Sequence, residues 1–116
     1  MTRERFMEML AGLEGKERAI VGTKGEEYTH GSEDRLSSFK ETAAFAGITP
    51  LQVCMVFMMK HVQALASYAK REKTLSDETL EGRVTDVRLY AALFAALAEE
   101  QKIGECLTPE WARKEA

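Results

Sequence analysis

The chain has 116 residues, of which 45% are hydrophobic and 30% are charged, and its net charge is -3. This composition is typical of a single globular domain that is long enough to bury a core. The small acidic surplus argues against general nucleic-acid binding, which usually requires a basic surface. No direct contact with nucleic acid is therefore expected.

The cysteines and the apolar segments bear on where the protein works. Two cysteines, Cys54 and Cys106, are too few for a disulfide scaffold, and Cys54 lies in an apolar segment. This pattern favours a reducing compartment. No apolar run reaches the ~18 residues that a membrane span needs, and the first residues lack the apolar core of a signal peptide. The sequence predicts a cytoplasmic protein without a membrane segment.

The first predicted element is a helix that Thr2 can cap, with apolar side chains at helical spacing after it. A polar stretch with three glycines, residues 22–32, follows and predicts a loop. The loop contains Lys24, Tyr28 and His30, whose side chains can bind a ligand or transfer a proton and are more than a simple connector needs. It is interpreted either as a functional loop or as a solvated linker.

A second helix is predicted between an N-cap at Ser32 and a stop at Gly47. The residues expected to be buried on it are Leu36, Phe39, Ala43 and Ala46. Arg35 falls at the edge of that stripe, one turn from Phe39. Its guanidinium is expected either to extend to the surface or to reach into a cavity between helices.

The central helix is predicted over residues 47–70. Thr49 is its N-cap, Pro50 suits its first position, and Gln52 completes a capping box. Nearly every side chain from Leu51 to Met59 is apolar, so this half must be covered on all sides. Four short helices cover it poorly by themselves, which predicts a homo-oligomer. The alternative is that its methionines fill an ordinary core.

A fourth helix is predicted from an N-cap at Ser76 to about Gln101. Its apolar positions, at alternating steps of four and three, are Leu80, Val84, Val87, Ala91, Phe94 and Ala98. The side predicted to be solvated carries Glu81, Thr85, Arg88, Ala92 and Glu99. This alternation is typical of a helix in a bundle.

A short helical turn is predicted after the fourth helix, where it would dock Trp111. No segment shows the alternation of a β-strand. The predicted fold is all-α, a four-helix bundle-like single domain over residues 1–116, with its core in 33–103 and a short C-terminal helical turn.

Three polar residues of the fourth helix lie within its apolar arc. Arg83, Asp86 and Tyr90 share one side at steps of three and four. Burying a charge is costly unless the charge is paired and hydrogen-bonded. Arg83 and Asp86 can pair with each other at this spacing. The simplest interpretation is a structural ion pair that the hydroxyl of Tyr90 completes.

The central helix raises the same question at His61, which lies at the edge of its apolar arc. A lone histidine there is more often a hydrogen-bonded core residue than a catalyst. Lys60 points in another direction, where it is available to a second surface or to an oligomer contact.

Taken together, these polar residues form a candidate ligand-binding set, namely Lys24, Tyr28, Arg35, Lys60, His61, Arg83, Asp86 and Tyr90. Arginine and lysine suit phosphate oxygens, aromatic rings can stack on a base, and a carboxylate can accept hydrogen bonds from a ribose or a base. Ligands of this kind commonly bind between bundle helices. The set predicts binding of a nucleotide or a nucleotide-derived phosphorylated ligand.

The order of residues between positions 24 and 97 resembles that of a group of phage and prophage proteins. The matching residues are Lys24, Glu27-Tyr28, Phe39, Gly47-Ile48-Thr49-Pro50, Lys60-His61, Glu81-Gly82-Arg83, Asp86 and Tyr90. This order resembles the nucleotide-modification-associated helical domain family, which is similar to the MazG-like all-α pyrophosphatases. The resemblance implies a role in nucleotide metabolism or in competition between phage and host over nucleotides.

The MazG-like enzymes hold magnesium with two acidic pairs on neighbouring helices. The nearest counterparts here are Glu14 with Glu17, which Gly15 interrupts, and Glu78 with Glu81, on a side predicted to be solvated. A magnesium-dependent nucleotide pyrophosphohydrolase is therefore the second hypothesis, with no catalytic or metal-binding residue assigned. A protein–protein interaction module with a purely structural polar cluster is the third.

Overall fold

A computed structural model describes the backbone of residues 1–29, 33–73 and 76–101, and the side chains of the same ranges except 24–29. These residues form four helices and no strand: α1 (Arg3–Thr29), α2 (Ser37–Ala46), α3 (Pro50–Arg71) and α4 (Leu80–Glu100). The predicted all-α, bundle-like fold is confirmed for them. Ser32, Cys106 and the expected C-terminal turn with Trp111 lie outside the described residues, as does His30.

The loop predicted over 22–32 is wrong over most of its length, because α1 continues through residues 22–29. A glycine inside a helix costs only about 1 kcal/mol, which is less than the loss of several consecutive backbone hydrogen bonds. The hydroxyl of Thr23 also donates to the carbonyl of Ala19 at 3.0 Å within this segment. Glycine content alone therefore predicted a break that does not occur.

The second helix begins at Ser37, later than predicted. The carboxylate of Asp34 accepts a hydrogen bond from the backbone N–H of Leu36 at 2.9 Å, which holds residues 33–36 in a turn instead of a first helical turn. Arg35 lies in this turn and is exposed, and Ala46 is exposed as well. The exposure of Arg35 agrees with the expectation that its guanidinium extends to the surface, whereas the predicted burial of Ala46 is wrong.

The capping box predicted at the start of α3 is confirmed. The hydroxyl of Thr49 accepts from the N–H of Gln52 at 3.1 Å, and the side chain of Gln52 accepts from the N–H of Thr49 at 2.9 Å. Gly47 ends α2 with a φ of 72°, a conformation that favours glycine. In the described ranges no single helix is long and apolar enough to cross a bilayer, and α2 with α3 passes that test only as a pair bent by 102°.

The fourth helix also begins later than predicted. Thr79, not Ser76, is its N-cap, since the Thr79 hydroxyl accepts from the N–H of Gly82 at 2.9 Å. The hydroxyl of Ser76 accepts from the N–H of Glu78 at 3.3 Å and so belongs to the preceding turn. Two hydroxyl residues three positions apart offered two possible caps, and the sequence pattern favoured the wrong one.

The core lies chiefly between α3 and α4, which form the most extensive helix–helix contact. Its buried residues are Leu36, Phe39, Ala43, Val53, Cys54 and Leu97. Thr85 is also buried, at 1% exposure, although it was predicted on the solvated side of α4. The reason is α1, which covers that side: Arg88, three residues after Thr85, forms an ion pair with Glu17 of α1.

Ion pairs tie α4 to two other helices near its two ends. Lys16 of α1 pairs with Glu81 in the first turn of α4, and Lys40 of α2 pairs with Glu100 in its last turn. Lys40 also contacts Asp34 at 2.7 Å, and this hydrogen bond lowers the pKa of the Asp34 carboxyl. Because each pair is half-exposed, we expect these ion pairs to set how the helices align and to stabilise the fold only slightly.

Candidate functional site

Four of the predicted site residues meet between α3 and α4. Nδ1 of His61 lies 3.4 Å from Oδ2 of Asp86 and 3.5 Å from Nη1 of Arg83. The His61 ring stacks on the ring of Tyr90, with centroids 5.3 Å apart and planes 25° apart. The side chain of His61 is 12% exposed and that of Asp86 is 29% exposed. The structure thus brings these four together in one partly buried polar cluster.

The expected ion pair between Arg83 and Asp86 is not formed in the described part of the chain. Both side chains contact the same nitrogen of His61 instead. A neutral imidazole nitrogen either donates or accepts, so it cannot satisfy both partners. The ionised carboxylate of Asp86 can only accept, which favours the tautomer with the proton on Nδ1. Nε2 of His61 is then an acceptor.

His61 is neutral at pH 7 because its surroundings disfavour the charged ring. Desolvation is the main cause that lowers the pKa of His61, and the charges of Lys60 and Arg83 act in the same direction. The carboxylates of Asp86 and Glu78 act in the opposite direction, and they do not overcome the desolvation.

Acidification is expected to destabilise the fold through His61. Its pKa is about 6.5 in the unfolded chain and lower in the folded one, so the unfolded state takes up the proton more readily as the pH falls. The melting temperature should drop between about pH 7.5 and about pH 5.5. His61→Gln should reduce this drop relative to the unmodified chain, since all other titrating groups are the same in both. Equal pH profiles would contradict the assignment.

Tyr90 connects the polar cluster to the core. Its ring meets those of Phe39 and Phe57 edge-on, at centroid distances of 6.4 Å and 6.5 Å. Its backbone carbonyl accepts from the thiol of Cys54 at 3.5 Å. Burial raises the pKa of that thiol to about 11, so Cys54 stays protonated and is a core residue, not a nucleophile. Tyr90 thus joins the polar cluster to the packed aromatic rings of Phe39 and Phe57.

Arg83 also lines a cleft of about 210 Å³ between the second half of α3 and the start of α4. The other polar residues that line the cleft are Ser67, Tyr68, Lys73 and Ser76. Neither Arg83 nor Lys73 forms an ion pair with a carboxylate among the described residues. Two cations without a carboxylate partner therefore face one small cleft.

A larger groove of about 550 Å³ lies between α1 and α4, and it suits an anionic ligand less well. Its two cations are both paired: Arg5 contacts Glu8 at 3.5 Å, and Lys16 contacts Glu81. The rest of its wall is mostly apolar.

Sequence reasoning missed four residues of the cleft, Ser67, Tyr68, Lys73 and Ser76. A usable signal was present at Tyr68, which follows His61 by seven residues and so lies two turns away on the same side of α3. Lys73 and Ser76 lie in the connector, which returns the chain so that α4 packs beside α3. Only the packing of the two helices shows that this connector meets Arg83.

The remaining members of the predicted set are not brought to the cluster by any described contact. Arg35 and Lys60 are exposed, and the side chains of Lys24 and Tyr28 lie outside the description.

One member of each acidic pair considered for magnesium is engaged in an ion pair. Glu17 pairs with Arg88 and Glu81 pairs with Lys16, each across α1 and α4. Within residues 1–23, 33–73 and 76–101, no three histidine, cysteine or acidic side chains are grouped so as to hold a metal ion. These residues do not fit the two-carboxylate-pair site that the resemblance implies.

In comparisons with known proteins, no protein-family model, curated protein or solved structure matches the chain.

Proposed function

We propose that the chain binds a small phosphorylated ligand, a nucleotide or a nucleotide-derived compound, in the cleft between α3 and α4. The observation that carries the proposal is the pair of cations, Lys73 and Arg83, that line this cleft without a carboxylate partner among the described residues. Like charges in one concavity repel each other and attract an anion. A phosphate group accepts hydrogen bonds from both a guanidinium and an ammonium.

The other walls of the cleft suit the same ligand. Ser67 and Ser76 supply hydroxyl donors, and the ring of Tyr68 offers a surface for a sugar or a base. Leu80 and Arg83 belong to the first turn of α4, so the positive end of that helix dipole lies beside the cleft. The serine hydroxyls and the helix terminus therefore both suit a negatively charged group in the cleft.

The size of the cleft limits what it holds. Its volume of about 210 Å³ is below that of a typical pocket for a drug-sized molecule, which starts at roughly 300 Å³. We infer that the phosphate end occupies the cleft and that the base lies against the neighbouring surface. Discrimination between bases is then expected to be weak compared with discrimination between phosphorylated and unphosphorylated ligands.

His61 and Asp86 act as positioning residues in this proposal. Nδ1 of His61 lies 3.5 Å from the guanidinium of Arg83 and 3.4 Å from the carboxylate of Asp86, so one ring nitrogen lies beside both side chains. Tyr90 holds the imidazole plane by stacking. Their role is to keep Arg83 at the rim of the cleft.

The pyrophosphohydrolase hypothesis stays second because it requires carboxylates that the structure uses elsewhere. Glu17 and Glu81 each form an ion pair between α1 and α4.

A thermal-shift series tests the proposal. Nucleoside mono-, di- and triphosphates should raise the melting temperature without magnesium, whereas the matching nucleosides should not. A ligand at a hundred times its Kd should add about 2.7 kcal/mol to the free energy of unfolding. Lys73→Ala should remove most of this response. Lys70→Ala, which deletes an exposed lysine outside the cleft, should leave it intact.

Two results would overturn the proposal. Absence of any shift across the panel would contradict binding at the cleft. A shift seen only with magnesium, together with release of pyrophosphate, would instead support the hydrolase hypothesis.

A further inference from the structure

Arg83 belongs both to the polar cluster around His61 and to the cleft between α3 and α4. Its Nη1 lies 3.5 Å from Nδ1 of His61, and its side chain also lines the cleft. Ala64 and Leu65 line the same cleft, and they follow His61 by three and four residues, which is one turn of α3. The cluster and the cleft therefore share one guanidinium.

The contact between Arg83 and His61 is weak. Its length of 3.5 Å exceeds the roughly 2.7–3.2 Å of an ordinary hydrogen bond from an N–H group. In the tautomer that Asp86 favours, Nδ1 of His61 carries a proton and has no lone pair for Arg83. Arg83 also forms no ion pair within residues 1–23, 33–73 and 76–101. His61 thus offers Arg83 no acceptor, whereas an anion in the cleft would offer one.

Charges of both signs act on His61. Lys60, on α3 itself, and Arg83, on α4, disfavour the charged ring. Asp86, on α4, and Glu78, two residues before α4, favour it. The ring also stacks on Tyr90. A further charge beside Arg83 is therefore expected to change how readily His61 takes up a proton.

The charged groups of the other two helices are directed elsewhere. In the described part of the chain α1 makes no contact with α3. On α2, which packs against α3, Lys40 pairs with Asp34 and with Glu100, in the last turn of α4. Glu41 of α2 is exposed. The balance of charge at His61 is therefore set by α3, α4 and the residues just before α4.

We propose that an anion in this cleft and a proton on His61 stabilise each other, with Arg83 as the link between them. This inference rests on the proposed function and adds regulation by pH to it. The proton comes from solvent and binds Nε2, because Nδ1 already carries one. The resulting imidazolium pairs with Asp86 and adds positive charge beside the guanidinium. An anion in the cleft offsets the charge of Arg83, which otherwise opposes charging of the ring.

The sign of the pH dependence follows from this coupling. Desolvation is the main cause that lowers the pKa of His61 in the free chain, and a bound anion should raise that pKa. By reciprocity, affinity for the anion is lowest when His61 is neutral and increases as the pH falls through the titration of His61. We expect a gain of roughly fivefold between about pH 7.5 and about pH 5.5, at the low end of coupling between sites, because water screens these half-buried groups.

An NMR titration of the His61 ring tests the inference without a substitution in the cluster. Sulfate is the probe, since it keeps both negative charges throughout this pH range and any pH dependence then comes from the protein. The chain has two histidines, so His30→Gln identifies the signal of His61. At constant ionic strength sulfate should raise the pKa of His61, and its affinity should show the fivefold gain. His61→Gln, which cannot take up the proton, should bind sulfate with a nearly pH-independent affinity.

Two lysine variants are matched controls. Lys73→Ala removes a cation that lines the cleft but is not among the charges that act on His61. It should abolish the effect of sulfate on the pKa of His61 and leave that pKa unchanged in the absence of sulfate. Lys60→Ala removes an exposed charge that lowers the pKa of His61 but does not line the cleft. It should raise that pKa and keep the response to sulfate.

The failure of this inference can be distinguished from failure of the proposed function. Sulfate binding with an unchanged or lowered pKa of His61 would overturn the coupling and leave the ligand site intact. An equal response in Lys73→Ala would also overturn the coupling, because sulfate would then act through overall charge and not through the cleft. If neither sulfate nor any nucleotide binds at either pH, the proposed function fails, and this inference fails with it.

Discussion

Leu97→Ala is expected to lower the free energy of unfolding by about 3 kcal/mol, the usual cost of deleting a buried leucine side chain. Leu97 has no exposed surface and belongs to the core cluster with Phe39 and Val53. The cavity left behind adds to the lost transfer energy because the surrounding helices relax only in part. Urea unfolding followed by circular dichroism measures the change.

Leu80→Ala is the matched control for this prediction. It deletes the same atoms from the same helix, but Leu80 is 37% exposed. Its cost should stay below about 1 kcal/mol. The comparison is informative because the sequence pattern placed Leu80 in the apolar seam of α4, whereas the structure leaves Leu80 partly exposed and buries Leu97 completely. Equal losses in the two variants would mean that α4 is oriented as the pattern suggested.

Arg83→Ala is expected to weaken binding of a phosphorylated ligand by roughly 10- to 100-fold, since hydrogen bonds to charged groups contribute about 1.5–3 kcal/mol. The variant should remain folded, with a loss of stability under about 1 kcal/mol. Arg83 is only half-buried and forms no ion pair with Asp86, so its removal strands no buried carboxylate. Calorimetric titration gives the affinity, and thermal melts give the stability.

Two companion variants give this experiment its specificity. Arg83→Lys keeps the charge but loses the planar fork of the guanidinium, and an intermediate affinity is expected. Arg35→Ala removes an exposed arginine from the turn before α2 and should have no effect on binding. If Arg35→Ala and Arg83→Ala weaken binding equally, the ligand responds to overall charge and not to the cleft.

Signals that act within a few residues were predicted well. The capping box of Thr49 and Gln52 depends on contacts across three positions, and Gly47 stops α2 through its own backbone conformation. Neither feature needs information from the rest of the chain. The same reasoning predicted too early a start for α4, because Ser76 and Thr79 offer nearly equal local capping chemistry.

The candidate site was predicted only in part. His61, Arg83, Asp86 and Tyr90 were recognised as polar or aromatic residues within apolar arcs, and the structure brings them together. Their partners could not be derived, because the choice between an Arg83–Asp86 pair and two contacts to His61 depends on the distance between α3 and α4. Lys73 was missed because a lysine in a short connector gives no periodic signal.

By itself the sequence determined that this protein is helical and where its central helix begins. These properties follow from hydrogen bonds and side-chain spacing within one or two turns. Only the tertiary structure decided that α1 covers Thr85 and that Lys73 and Arg83 share a cleft. Those outcomes depend on how each helix is rotated against its neighbours, and a rotation of a few tens of degrees changes which side chains are buried without altering any local pattern.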